Sequence, residues 1–258
     1  MDSSSPRTEA DLPAVKSPQA WEGFLLVGVC LVLFVALAGL WQGRGLPFRF
    51  LFLPVLVFLA PSLLWVLWRS GLRQAFPAHE VGWRGAAIAL LFVLGGSLLA
   101  LGLAGLISLL PGAREEEPAL RALVFSVDPL RRLLFFALVP ALCEESLFRG
   151  ALLWCLRPWG TAAASLASAL AFAIVHASPY RFLPVAVLGW ALAYVVFRTG
   201  NFWLAVAGHA LHNSAVLWAL SSGPDGGGAT AYLYIAAGVI AGGISVSLAF
   251  WLSRSASG

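Results

Sequence analysis

Apolar residues fall in blocks of about twenty, separated by short clusters of charge, Trp, Pro and Gly, and this pattern predicts a succession of membrane-crossing helices. A helix needs roughly 20 apolar residues to cross a hydrocarbon layer about 30 Å thick. Spans near that length are expected over 21–40, 47–68, 85–110, 130–157, 161–177, 182–197, 202–220 and 231–252. The fold class is therefore expected to be all-α, a polytopic transmembrane bundle of about eight helices with both termini on one side. Between the second and third spans, Arg69, Arg73, His79, Glu80 and Arg84 lie among Trp65, Trp68 and Trp83, a composition suited to the headgroup level. Pro111 to Pro129, with Glu115, Glu116 and Glu117, is expected to return to water as a solvated loop. Gly223-Pro224-Asp225-Gly226-Gly227-Gly228 is expected to be a flexible linker. The first 20 residues lack a basic segment followed by a small-residue cleavage site, and their Ser, Pro and mixed charge suit a disordered tail. The chain thus divides into a tail (1–20), N-terminal transmembrane helices (21–123), a core rich in intramembrane polar residues (124–220), and a linker with the last helix (221–258).

Composition removes the soluble alternatives. The chain is 60% hydrophobic and 11% charged with 11 Trp, which makes it an integral, multi-pass membrane protein. A net charge of +4 without a continuous basic cluster suits contact with the lipid bilayer and gives no reason to expect a nucleic-acid partner. Lys and Arg outside the spans divide almost equally between the two faces; the Arg69 to Arg84 connection tips the balance toward cytoplasmic termini in the cytoplasmic (inner) membrane. Cys30, Cys143 and Cys155 sit in apolar runs with no C-x-x-C spacing, so they are expected as buried packing residues, neither disulfides nor a thiolate metal site.

Candidate chemistry comes from polar residues inside the spans. Glu144, Glu145 and Arg149 interrupt the fourth, just after a kink expected at Pro140. An ionisable side chain at the centre of a membrane helix costs about 2.5–3.5 kcal/mol on insertion scales, so three within six residues point to a site. Glu145 and Arg149 are i and i+4 with the acid N-terminal, the favourable order for an ion pair. Glu144 points about 100° away from Glu145 around the helix and is left to face a polar cavity. Phe172 and His176 share i, i+4 spacing on the fifth span, as do His209 and Asn213 on the seventh, with His212 between them. A carboxylate, an imidazole on a second helix and a His–Asn donor pair on a third are the parts of a water-activated hydrolase: a base for water and donors for an oxyanion. A structural reading stands beside each assignment. Glu145 and Arg149 would then be only an ion pair, each His a strut between helices, and Phe172 a packing residue instead of a cavity wall.

The residues E144-E145-S-L-F-R149, F172-A-I-V-H176 and H209-A-L-H-N213 resemble, in order, the E-E-x-x-x-R, F-x-x-x-H and H-x-x-x-N motifs of the CPBP family. That family comprises the type 2 CAAX prenyl proteases, bacteriocin-processing and immunity membrane proteins, and lysostaphin resistance protein A. The resemblance covers about 124–220. It implies an intramembrane glutamate-type endopeptidase acting on a membrane-associated protein or peptide. It further implies Glu144 as general base with His176 assisting, His209 and Asn213 as the oxyanion hole, and Glu145 with Arg149 orienting and balancing charge. Phe172 and His212 are candidate cavity-lining residues. No cofactor is expected: Glu144, His176, His209 and His212 could supply a zinc set, but H-E-x-x-H is absent and two of them serve better as oxyanion donors. The motifs of rhomboid-type serine and presenilin-type aspartate proteases are absent too. A noncatalytic immunity or regulatory membrane protein is the rival reading, and a proton-coupled transporter a third. Because His176 lies at the end of its span, the fifth helix is expected to stop inside the bilayer on a wet funnel faced by Ser178 to Arg181.

Overall fold

The computed structural model describes residues 18–40, 45, 48–113, 115, 117–221 and 229–255. The expected N-terminal tail up to residue 17 and the Gly-rich linker lie outside the described residues. In a medium that offers no hydrogen bonds, backbone groups must pair within the chain. The helix-forming Leu and Ala that fill the apolar runs do this locally. The helices are α1 (Ala20–Leu40), α2 (Arg49–Trp68), a one-turn α3 (Leu72–Ala75), α4 (Trp83–Ile107) and α5 (Glu117–Phe125). They continue as α6 (residues 129–156), α7 (Gly160–Val175), α8 (Pro179–Thr199), α9 (Phe202–Ser221) and α10 (Ala229–Ser255).

Among the described residues, α1, α2, α4, the α6–α7 run and α8 are long and apolar enough to cross a membrane. The α6–α7 run is helical for 47 residues, from Pro129 to Val175. It folds back at 157–160, where Gly160 adopts φ +78, a left-handed value that glycine takes without strain. Ser168 Oγ then donates to the Phe148 carbonyl at 3.0 Å, pairing the two arms of this hairpin. α9 has the length of a span but carries His209, His212 and Asn213, whose polarity keeps it out of that apolar set. Residues 111–129 are not simply a loop. Glu117 to Phe125 form a helix whose Val124 is buried, so the apolar positions of A-L-R-A-L-V-F prevail over the adjacent acids.

α6 is the hub of the bundle, touching α1, α2, α7, α8 and α9. Every residue from Glu145 to Leu156 is buried, as expected of a helix surrounded by others on all sides. α10 packs on α4 instead, and there a Cβ on Gly242 would meet the Leu99 nitrogen at 2.6 Å, so the two backbones touch through glycine. On the far side from α5, the strand-like contact of Ala78 with Asn201 joins the α3–α4 connection to the α8–α9 turn. Asn201 Nδ2 donates to the His79 carbonyl at 2.9 Å.

Candidate active site

The geometry of α6 departs from a regular helix around its charges. It widens to i→i+5 pairing over Leu134–Leu138 and again over Ser146–Leu152. The first wide turn precedes Pro140, which has no N–H to continue the ladder; the second contains Arg149. Such turns are concentrated at functional sites because they re-aim side chains without ending the helix.

Glu145 and Arg149 form an ion pair with neither side chain exposed. Arg149 Nη1 donates to Glu145 Oε1 at 2.9 Å, and Nη2 donates to the Gly189 carbonyl on α8 at 2.9 Å. The guanidinium also lies 4.5 Å from the centre of the Phe172 ring, a cation–π contact. Glu145 Oε1 has a second partner, accepting from His209 Nδ1 on α9 at 2.8 Å. Two buried charges are expensive to desolvate, and these charge-assisted hydrogen bonds offset part of that cost, while Glu145 Oε2 and Arg149 Nε find no partner among the described residues. The other ring nitrogen of His209 faces the second carboxylate, with Nε2 3.9 Å from Glu144 Oε2. That separation exceeds a hydrogen bond. Glu144 is 21% exposed at its side chain, unlike the wholly buried Glu145.

His176 caps the end of α7, followed by Ala177 with φ +49. Its Nδ1 lies 2.9 Å from the Phe172 carbonyl, which can only accept, so Nδ1 carries the proton and Nε2 is the nitrogen left for other partners. Phe172 packs edge-on against both imidazoles, 4.8 Å from His176 and 5.5 Å from His209 between ring centres. It is 1% exposed and packed behind the site, and it is not on the wall of the cavity that His176 lines. One aromatic ring therefore fixes the planes of two histidines on different helices.

A cavity of about 590 Å³ opens beside these residues. His176, His212 and Asn213 contribute to its wall, as do Ser178, Tyr180 and Arg181 from the α7–α8 junction. Glu144 and His209 are not on that wall. The structure thus joins Glu144, Glu145, Arg149 and His209 in one contact network and places His176, His212 and Asn213 on the cavity, with Phe172 touching both sets. Two participants escaped the sequence reading. The Gly189 carbonyl is a backbone acceptor with no side-chain signature, and Ser168 looked like any small residue of a packed helix. Among the described residues, no three His, Cys, Asp or Glu side chains converge as a metal site requires.

Residues 126–215 match the family described as type II CAAX prenyl endopeptidase, Rce1-like. The match over this segment supports the CPBP resemblance. All three CPBP motifs, from Glu144 to Asn213, fall inside the match. The match suggests a CAAX-type intramembrane protease, and together with the apolar helices it supports an integral membrane protein. No curated protein and no solved structure matches the chain.

Proposed function

We propose that the chain is a glutamate-type intramembrane endopeptidase that hydrolyses a peptide bond of a membrane-associated protein, with Glu144 as the base. The observation that carries this reading is the division of labour between the two acids. Glu145 Oε1 is bound by both Arg149 and His209, whereas Glu144 makes no direct hydrogen bond to His209 and retains some exposure. A carboxylate already accepting from a guanidinium and an imidazole N–H is the poorer proton acceptor, and the uncommitted one is the better base. Glu144 takes a proton from water as the oxygen attacks the carbonyl carbon. The oxyanion is held by Asn213 Nδ2–H and His209 Nε2–H. With Nδ1 already donating to Glu145, Nε2 donates only when the His209 ring carries both protons, and the flanking carboxylates supply the counter-charge. Collapse breaks the C–N bond, and the proton on Glu144 passes to the leaving amine. His176, held by its Nδ1 donation to Phe172, offers Nε2 as a second acceptor for water protons.

The test is hydrolysis of a farnesylated CAAX peptide by purified protein in detergent. Glu144→Gln keeps the shape and removes the base, so kcat should fall by roughly 10²–10⁴ with the thermal midpoint unchanged. Wild-type protein that leaves the peptide intact, or a Glu144→Gln variant that cleaves it at the wild-type rate, refutes the proposal.

A further inference from the structure

His212 is a histidine that the motifs do not use and that the structure leaves with something to bind. Its Nδ1 is buried and has no hydrogen-bond partner among the described residues. A membrane histidine that served as a strut between helices would show such a partner. A buried nitrogen without one costs free energy that an apolar residue would not. The apolar alternative would suit the site, because Val216 and Leu220, which follow on the same face of α9 at four-residue intervals, line the same cavity. His212 lines that cavity together with Asn213 and His176 on the polar side of its lining and with Val216 and Leu220 among the apolar residues.

We infer that His212 is a substrate-positioning residue, whose ring hydrogen-bonds a main-chain amide of the bound peptide within one or two residues of the scissile bond, on the side facing Val216 and Leu220. The inference rests on the peptidase reading above and adds a residue to it. The chemistry favours a peptide main chain over other ligands. An extended peptide drawn into an apolar cavity brings N–H and C=O groups that no longer have water, and these must be paired inside. A neutral imidazole offers one donor and one acceptor, so it can serve either group. Asn213, the adjacent residue, is assigned to the oxyanion. A contact from His212 therefore falls on a neighbouring residue of the same peptide strand.

His212→Phe keeps an aromatic ring and removes its hydrogen bonding; His212→Gln retains a donor and an acceptor. With the farnesylated CAAX peptide, KM for His212→Phe should rise roughly tenfold, the value of about one hydrogen bond, while kcat changes much less. His212→Gln should recover most of the loss. The thermal midpoint of ligand-free His212→Phe should equal or exceed that of the wild type, because an unpaired buried nitrogen has been removed. A lowered midpoint with unchanged KM would show a structural strut and overturn the inference while leaving the peptidase reading intact. If wild-type protein does not hydrolyse the peptide, the peptidase reading fails, and the rise in midpoint on adding the peptide decides for His212. A rise present in the wild type and lost in His212→Phe supports the contact; an equal rise in both, or none in either, overturns it.

Discussion

Arg149→Met is the most informative single change in this protein, because it removes one cation from the middle of the contact network and nearly conserves volume. Three interactions end together: the ion pair to Glu145 at 2.9 Å, the hydrogen bond to the Gly189 carbonyl at 2.9 Å and the stacking on Phe172 at 4.5 Å. Breaking a buried ion pair from one side costs about 3–5 kcal/mol, since the remaining charge is left in a low dielectric. Orphaning the Gly189 carbonyl adds about 1 kcal/mol. For a chain of this size 1 kcal/mol is worth about 2–4 °C, so the thermal midpoint should fall by on the order of 10 °C. Tryptophan emission during thermal unfolding in detergent gives the readout, with 11 Trp as reporters. Adding Glu145→Gln to Arg149→Met removes the stranded charge, and the double variant should regain part of the loss. A single variant that melts within about 1 °C of the wild type, or a double variant whose losses simply add, would show that the pair is not coupled, against the size expected for such pairs.

Other consequences are equally open to measurement. Gly189→Val should abolish activity and lower the midpoint, since a Cβ there would stand 3.0 Å from Phe172 Cδ1 and 3.2 Å from Arg149 Nη2, and overpacking costs about 1–3 kcal/mol before Arg149 is displaced. Asn213→Ala should lower kcat by about 10²–10³ with little effect on folding, as measured by peptide cleavage and thermal unfolding. Gly200→Ala should destabilise the α8–α9 turn, because φ is +61 and a Cβ would come 2.4 Å from His79 Nδ1; faster amide exchange around residue 200 is the check. The Asp128 carboxyl, at the start of α6, is held below its ordinary range first by the Arg131 backbone N–H, which donates to it at 3.0 Å, and then by the Arg131 guanidinium. A lowered folded value means that its contribution is complete above the ordinary carboxylate range and disappears as pH falls through the folded value. Amide exchange over residues 129–133 should therefore be faster in Asp128→Ala than in wild type at pH 7, with the difference closing in acid.

Much of this was legible in the linear chain for a simple physical reason. Lipid forces the backbone into helices, so apolar block length foretells the elements, and i, i+4 spacing foretells which side chains share a face. The Glu145–Arg149 pair is such a local fact, set by one helix alone. What spacing cannot report is what arrives from other helices. That His209 Nδ1 binds Glu145 and not Glu144 depends on the height and rotation of α9 against α6. The Gly189 acceptor and the place of Phe172 between two imidazoles depend on α8 and α7 in the same way. α5 is not legible in the sequence because three consecutive acids outweigh a short apolar stripe, whose value appears only where Val124 is buried. The end of α7 at His176 was foreseeable from Ser178-Pro179, and the left-handed Ala177 that completes the exit was not.

The order in which the chain is synthesised gives the Glu145–Arg149 pair a further role. α6 leaves the ribosome before α8 and α9, so Gly189 and His209 do not yet exist when Arg149 must enter the insertion machinery. At that stage the one counter-ion within reach on the same helix turn is Glu145, and a helix that carries its own neutralised acid and base partitions into the bilayer more readily than one bearing a bare cation. The later helices then dock on α6 and draw the same two side chains into new partnerships. The pair thus eases insertion of α6 first and ties α6 to α8 and α9 in the finished bundle afterwards.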